Sequence, residues 1–140
     1  MSEALQAALD GEYAAIYAYG RAGARLTTDQ DVALNDLATH RLARDQLRAW
    51  LMQDGVDPAP PAPAYALPTP VNGNASARSL LATVELRLIP LFTELVGDQR
   101  AVPTRLNWSI RAIRNSALRA QAWGASGQAF PWPEGVAAPA

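Results

Sequence analysis

The chain has 140 residues, of which 49% are hydrophobic, and its formal net charge is −1 at pH 7. A domain of this length buries roughly 70% of the surface that its unfolded chain exposes, so we expect residues 1–140 to form one domain with a substantial core. The near-balanced charge gives no reason to expect binding to nucleic acid or to an acidic membrane. There is no cysteine, and all twelve basic residues are arginine, which excludes disulfides, thiolate metal sites and lysine-based covalent catalysis.

The amino-terminal stretch MSEALQAALDGEY lacks the basic segment and the following apolar run that define a signal peptide. No apolar run in the sequence approaches the roughly 20 residues that a helix needs to cross a bilayer. We therefore predict that the protein is cytoplasmic and does not associate with membranes.

The first predicted helix covers about residues 3–26, and its inward face carries an acid. Apolar residues recur along it at spacings of three and four, which is the pattern of a bundle helix. The inward stripe consists of Leu5, Leu9, Glu12, Ile16, Tyr19, Gly23 and Leu26. Glu12 must find a cation, a metal ion or water, because burying an uncompensated carboxylate is expensive. We expect Gly11, Gly20 and Gly23 to allow close approach of a neighbouring helix.

Two more helices follow, one on either side of a proline-rich segment. Helix 2 is predicted over about 28–54, with Gly55 as its carboxyl-terminal stop. Helix 3 is predicted over about 76–96 and should end at Gly97, with Pro90 kinking it from within. The inward stripe of helix 3 consists of Leu81, Glu85, Leu88, Phe92 and Leu95. A second acid therefore stands at the middle of an inward face.

A fourth helix is predicted to begin within 98–108 and to end near Trp123. Residues from about 125 to 140 should form a non-helical tail, in which Phe130 and Trp132 are expected to dock on the bundle.

The segment of about 56–75 carries six prolines, which forbid a helix and favour an extended path. Tyr65, Leu67 and Val71 are apolar residues that could hold this segment along the bundle. Two helical hairpins joined by a long crossover between helices 2 and 3 have the connectivity of ferritin-like folds. We predict an all-α, ferritin-like four-helix bundle.

Ferritin-like di-metal sites take one Glu from each of two helices and a Glu-x-x-His from each of the other two. Glu12 and Glu85 match the single glutamates, and His40 matches one histidine, but Leu37 stands where its glutamate is needed. On helix 4 the corresponding stretch, 111–114, has arginine at both ends. Because guanidinium groups would neutralise the acids, we predict a buried ion-pair network without metal, cofactor or catalytic residue. The predicted network comprises Glu12, His40, Arg44, Glu85, Arg111 and Arg114.

Two other functions remain open. One is a degenerate metal site with a single ion at Glu12, His40 and Glu85. The other is a bundle that binds a small apolar ligand in a pocket near Tyr19 and Phe92. A nucleic-acid patch of helix 4 arginines is less simple, because six aspartates between residues 28 and 57 can complement them within the chain.

Three strings resemble a family of small, alanine-rich, ferritin-like domains of unknown function from high-GC, actinobacterial-type bacteria. They are LQAALDGEYAAIYAYGRAGARL, ATHRLARDQLRAWL and PAPAYALPTPV. The resemblance covers roughly residues 4–125 and departs at Pro103. It implies a ferritin-like fold, a homodimer and no established catalytic residues; a further protein partner is left open.

Overall fold

The computed structural model describes residues 2–126, and within that range the chain is helical with no strand. The four helices are α1 (Ser2–Gly23), α2 (Gln30–Gln53), α3 (Asn74–Asp98) and α4 (Pro103–Ala122). The prediction of an all-α fold with four helices is therefore confirmed. The predicted contacts of Phe130 and Trp132 lie outside the described residues.

Helices α1 and α3 end at residues other than the predicted ones. Gly97 does not stop α3, which runs on to Asp98 before the N–H of Gln99 bonds to the carbonyl of Leu95. Helix α1 ends at Gly23 rather than near Leu26. Gly55, with φ of 76°, does follow the end of α2 as expected, since glycine tolerates this left-handed conformation.

Pro103 occupies the first turn of α4. A proline is tolerated there because its missing N–H would have no partner within the helix. Pro90 lies inside α3 at an exposed position, and the helix continues through it.

Two inward stripes meet in the core as predicted. All five stripe residues of α3 are buried, and so are Leu5, Leu9, Glu12 and Tyr19 of α1. Helix α1 packs on α2 and α3, and α3 packs on α4. A Cβ added at Gly11 would lie 2.5 Å from Cδ1 of Leu91, so this glycine does permit close approach of α3. The same expectation was wrong for Gly20 and Gly23, where an added Cβ would meet open space.

The link between α2 and α3, residues 54–73, lies along α1. The hydroxyl of Tyr13 donates to the carbonyl of Ala59 at 2.9 Å, and the side chain of Gln6 accepts from the N–H of Ala59 at 3.1 Å. Tyr65, Leu67 and Val71 pack against the core. The segment is therefore tied down by both polar and apolar contacts.

Helices α2 and α4 stand apart along most of their length, with no pair of Cα atoms within 8 Å in the described range. Side chains connect them at both ends. At one end the rings of Trp50 and Trp108 meet edge to face at 5.2 Å. At the other, Nε1 of Trp123, just beyond α4, donates to Oδ2 of Asp36 at 3.1 Å. An opening is left between these two connections.

Candidate functional site

Glu12, His40 and Glu85 come together at the centre of the bundle from three helices. Nδ1 of His40 lies 2.6 Å from Oε2 of Glu12, and Nε2 lies 2.9 Å from Oε2 of Glu85. None of the three residues is more than 1% exposed. His40 therefore bridges two buried glutamates.

This geometry sets the protonation state of His40. An ionised carboxylate only accepts hydrogen bonds, and a neutral imidazole has one N–H to donate, so satisfying both glutamates requires the imidazolium. Burial alone lowers the pKa of His40, but the charges and hydrogen bonds of Glu12 and Glu85 outweigh it and raise the pKa to about 9. With both carboxylates ionised, the bridge is a cation between two anions.

Glu85 receives three donors on one oxygen. Its Oε2 accepts from His40, from the hydroxyl of Tyr19 at 2.8 Å and from Nε of Arg119 at 2.9 Å. Burial acts to raise the pKa of Glu85, but His40 and Arg119 together hold the pKa below its usual value. The other oxygen, Oε1, is buried and has no hydrogen-bond partner among residues 2–126.

A second layer of polar groups surrounds this centre. Nε1 of Trp123 lies 3.1 Å from both the hydroxyl of Tyr19 and Oδ2 of Asp36. Burial is the largest cause of the raised pKa of Asp36, and also of the raised pKa of Tyr19. Tyr19 therefore stays a neutral donor to Glu85, and Trp123 orients it. Burial likewise raises the pKa of Glu12, and the contact with His40 offsets part of that rise.

The arginines of the predicted network need correction. Nε of Arg44 donates to its neighbour Asp45 at 2.9 Å, and Arg111 and Arg114 are exposed. The guanidinium that reaches the glutamates belongs to Arg119, eight residues beyond Arg111. Eight residues are about two turns, or about 12 Å, along a helix. The prediction placed an arginine on the correct helix, but at a position too early along it.

Four residues that contribute to this polar centre were not among the residues predicted for it. They are Tyr19, Asp36, Arg119 and Trp123, of which only Tyr19 had been placed on the inward stripe. Asp36 stands four residues before His40 and Trp123 four residues after Arg119. Residues four apart share a helix face as well as residues three apart do, so a search at both spacings would have found these pairs.

The centre consists of ion pairs and hydrogen bonds among Glu12, His40, Glu85 and Arg119. Among the residues that the structure describes, no group of three or more His, Asp or Glu side chains is placed to hold a metal ion. A metal-ligating histidine must offer a lone pair. His40 directs both ring nitrogens to carboxylates instead, so an ion could enter only after His40 lost a proton and one of these bonds.

The opening between α2 and α4 leads down to this centre. We call it the α2–α4 slot; it has a volume of about 330 Å³. Its floor includes Glu12, His40 and Phe92, and its α4 wall includes Trp108 and Arg111. Tyr19, which was expected to line a ligand pocket with Phe92, lies within the polar centre instead.

Comparison with protein families decides which family the chain represents. The profile of a domain of unknown function, DUF4439, matches residues 4–135. The chain belongs to this family. The comparison with curated proteins gave no match. No helix in the described part of this DUF4439 domain is long and apolar enough to traverse a bilayer.

A solved structure resembles the DUF4439 domain closely. It is the crystal structure of a conserved hypothetical protein, rv2844, from Mycobacterium tuberculosis, with 28% sequence identity and a TM-score of 0.82. The match covers 86% of this chain and 92% of the mycobacterial one. The resemblance to a family of unknown function is thus confirmed, and its mycobacterial neighbour agrees with the expected bacterial group.

Proposed function

We propose that this DUF4439 domain is a ferritin-like bundle without enzymatic activity, in which organic cations replace a di-metal site. In ferritin-like di-iron proteins, carboxylates and histidines from four helices hold two metal ions at the bundle centre. Here Glu12 and Glu85 occupy central positions, with His40 and Arg119 between and beside them. The long link between α2 and α3 supports the ferritin-like connectivity.

The observation that carries this proposal is the double hydrogen bond of His40. The imidazolium satisfies one oxygen of each glutamate and supplies the positive charge that a metal ion would otherwise supply. Removing that charge would leave two buried carboxylates facing each other, which costs several kcal/mol. The domain then acts through non-covalent contacts, as a homodimer or with a protein partner, in the cytoplasm.

Metal analysis tests the proposal directly. We expect protein purified without chelators to contain no stoichiometric iron or manganese, and we expect no oxidation of added Fe²⁺ above the rate in buffer. A bacterial ferritin purified in parallel serves as the positive control for both assays. Stoichiometric metal, or catalysed Fe²⁺ oxidation, would overturn the proposal.

A single bound ion is the second candidate function, and the unpartnered Oε1 of Glu85 favours it. The centre also holds three acids, Glu12, Asp36 and Glu85, against two cations. If one ion binds at Glu12, His40 and Glu85, added Zn²⁺ or Mn²⁺ should raise the melting temperature of the wild type but not of Glu12→Ala. An unchanged wild-type melting curve at millimolar metal would exclude this candidate.

A further inference from the structure

Two small residues, one from each helix, line the α2–α4 slot. Ala43 of α2 and Ala112 of α4 both line it, and neither side chain is long enough to cross between helices whose Cα atoms are more than 8 Å apart. The volume of about 330 Å³ lies at the small end of the range typical of ligand pockets, roughly 300–1,000 Å³. The opening is therefore large enough for a small organic molecule.

The lining of the slot combines an apolar part with polar side chains, among them Thr39, Gln46 and Asn115, and the slot opens to solvent. Phe92, Trp108 and Leu42 line it together with the two alanines. Leu42, at the solvent side of the slot, is 72% exposed. Covering such surface is favourable in water. An apolar body is the occupant that these walls suit.

The charge that faces the slot and lacks a partner is positive. Glu12, on the floor, is already paired with His40, and Arg119 is already paired with Glu85. Arg111 also lines the slot, is exposed, and forms no ion pair with any residue from 2 to 126. A guanidinium binds a carboxylate through paired, charge-assisted hydrogen bonds.

We propose that the α2–α4 slot binds a small amphipathic monoanion, with its apolar body against Phe92, Trp108 and Leu42 and its carboxylate on Arg111. The floor argues for a single negative charge, because a second carboxylate at the buried end would meet Glu12. The carboxylate contact with Arg111 requires neither the presence nor the absence of a metal at the ion-pair centre.

Octanoate is a suitable probe. The comparison ligands are 1-octanol and octylamine, which have the same chain length but a neutral and a positively charged head group. In titration calorimetry we expect the wild type to bind octanoate about tenfold or more tightly than 1-octanol, and octylamine most weakly, because a charge-assisted hydrogen bond to an ion is worth roughly one to two factors of ten. No binding of octanoate at millimolar concentration, or equal binding of all three, would overturn the proposal.

Two arginine variants localise the head group. Arg111→Gln should weaken octanoate binding about tenfold and leave 1-octanol binding unchanged. Arg114→Gln is the matched control, because Arg114 is an exposed arginine on the same helix that does not line the slot. It should bind octanoate as the wild type does. An Arg111→Gln protein that keeps full octanoate affinity would contradict the proposal.

A filled slot provides the complementary test. Ala112→Phe places a ring between the helices and should abolish binding of both octanoate and 1-octanol, with folding checked by circular dichroism. If this variant does not fold, the comparison of Arg111→Gln with Arg114→Gln still decides the outcome. A folded Ala112→Phe protein with wild-type affinity would place any binding elsewhere. Because no metal assay is involved, failure here is distinguishable from failure of the metal-free centre.

Discussion

His40 is the residue on which the centre depends, and the sequence contains no other histidine. Its pKa rises from 6.5 to about 9 in the fold, so protonated His40 stabilises the folded state. That contribution is fully present below pH 6.5 and is lost as the pH rises through about 9. Its size is of order 3 kcal/mol, since a tenfold difference in proton affinity corresponds to about 1.4 kcal/mol.

We therefore predict that the free energy of unfolding in urea falls between pH 6.5 and 9. His40→Gln, which keeps hydrogen-bonding ability without a titrating group, should be less stable at pH 6.5 and should show a flatter profile across the same range. Because the pKa values of Glu12 and Asp36 are also raised, the difference between the wild-type and His40→Gln profiles, rather than the wild-type profile alone, reports on His40. A wild-type profile as flat as that of the variant would mean that His40 is neutral in the fold.

A second prediction concerns Glu85, whose Oε2 accepts three hydrogen bonds. Glu85→Ala strands His40, Arg119 and the hydroxyl of Tyr19, so we expect it to cost roughly 3–5 kcal/mol. Glu94→Ala is the matched control on the same helix, at an exposed position, and should stay within about 0.5 kcal/mol of the wild type. Urea midpoints compare the two. Similar midpoints would show that Glu85 is solvated.

The arginines of α4 allow a third prediction. Arg119 is 17% exposed and pairs with a fully buried carboxylate. We expect Arg119→Met to lower the free energy of unfolding by roughly 1–3 kcal/mol, as for loss of a partner that leaves a buried acceptor short of a donor. Arg114→Met should have little effect, because its side chain is exposed. Thermal melts of the two variants separate a buried ion pair from surface charge.

Within helix α1, the glycines differ in the space available for a Cβ atom. Gly20 is exposed, with open space where a Cβ would stand. Gly20→Ala should therefore stabilise the protein by up to about 1 kcal/mol through helix propensity. Gly11→Ala should gain less, because the new methyl must displace the Cδ1 atom of Leu91. A larger gain at Gly11 than at Gly20 in urea unfolding would contradict this account.

Periodicity predicted the helices and their buried stripes well, because burial of one face repeats along the chain. Periodicity could not predict the position of each helix along its axis relative to its neighbours. The acids of α1 and α3 were placed correctly, since both stand at the middle of clear apolar stripes. The α4 contribution was placed five to eight residues early, since the buried face of α4 includes polar residues, Arg105, Ser109 and Ser116, which apolar periodicity does not detect.

For the whole molecule, the prediction of a homodimer remains a prediction. Several large apolar side chains of α2 and α4 are exposed. They include Leu34 at 67%, Leu118 at 52% and Ile110 at 50%. Exposed apolar residues that occur singly are normal on a protein surface, so these three residues do not by themselves define an interface.

The two sides of the bundle are unequal. The proline-rich link covers part of the α1 side, while the α2–α4 slot has Glu12 and His40 in its floor. His40 is itself buried, so exchange of its ring protons with solvent requires a local opening, and the slot is the shortest described route to it. A molecule seated in the slot would shield those protons, so guest occupancy and isotope exchange at the imidazole would report on each other.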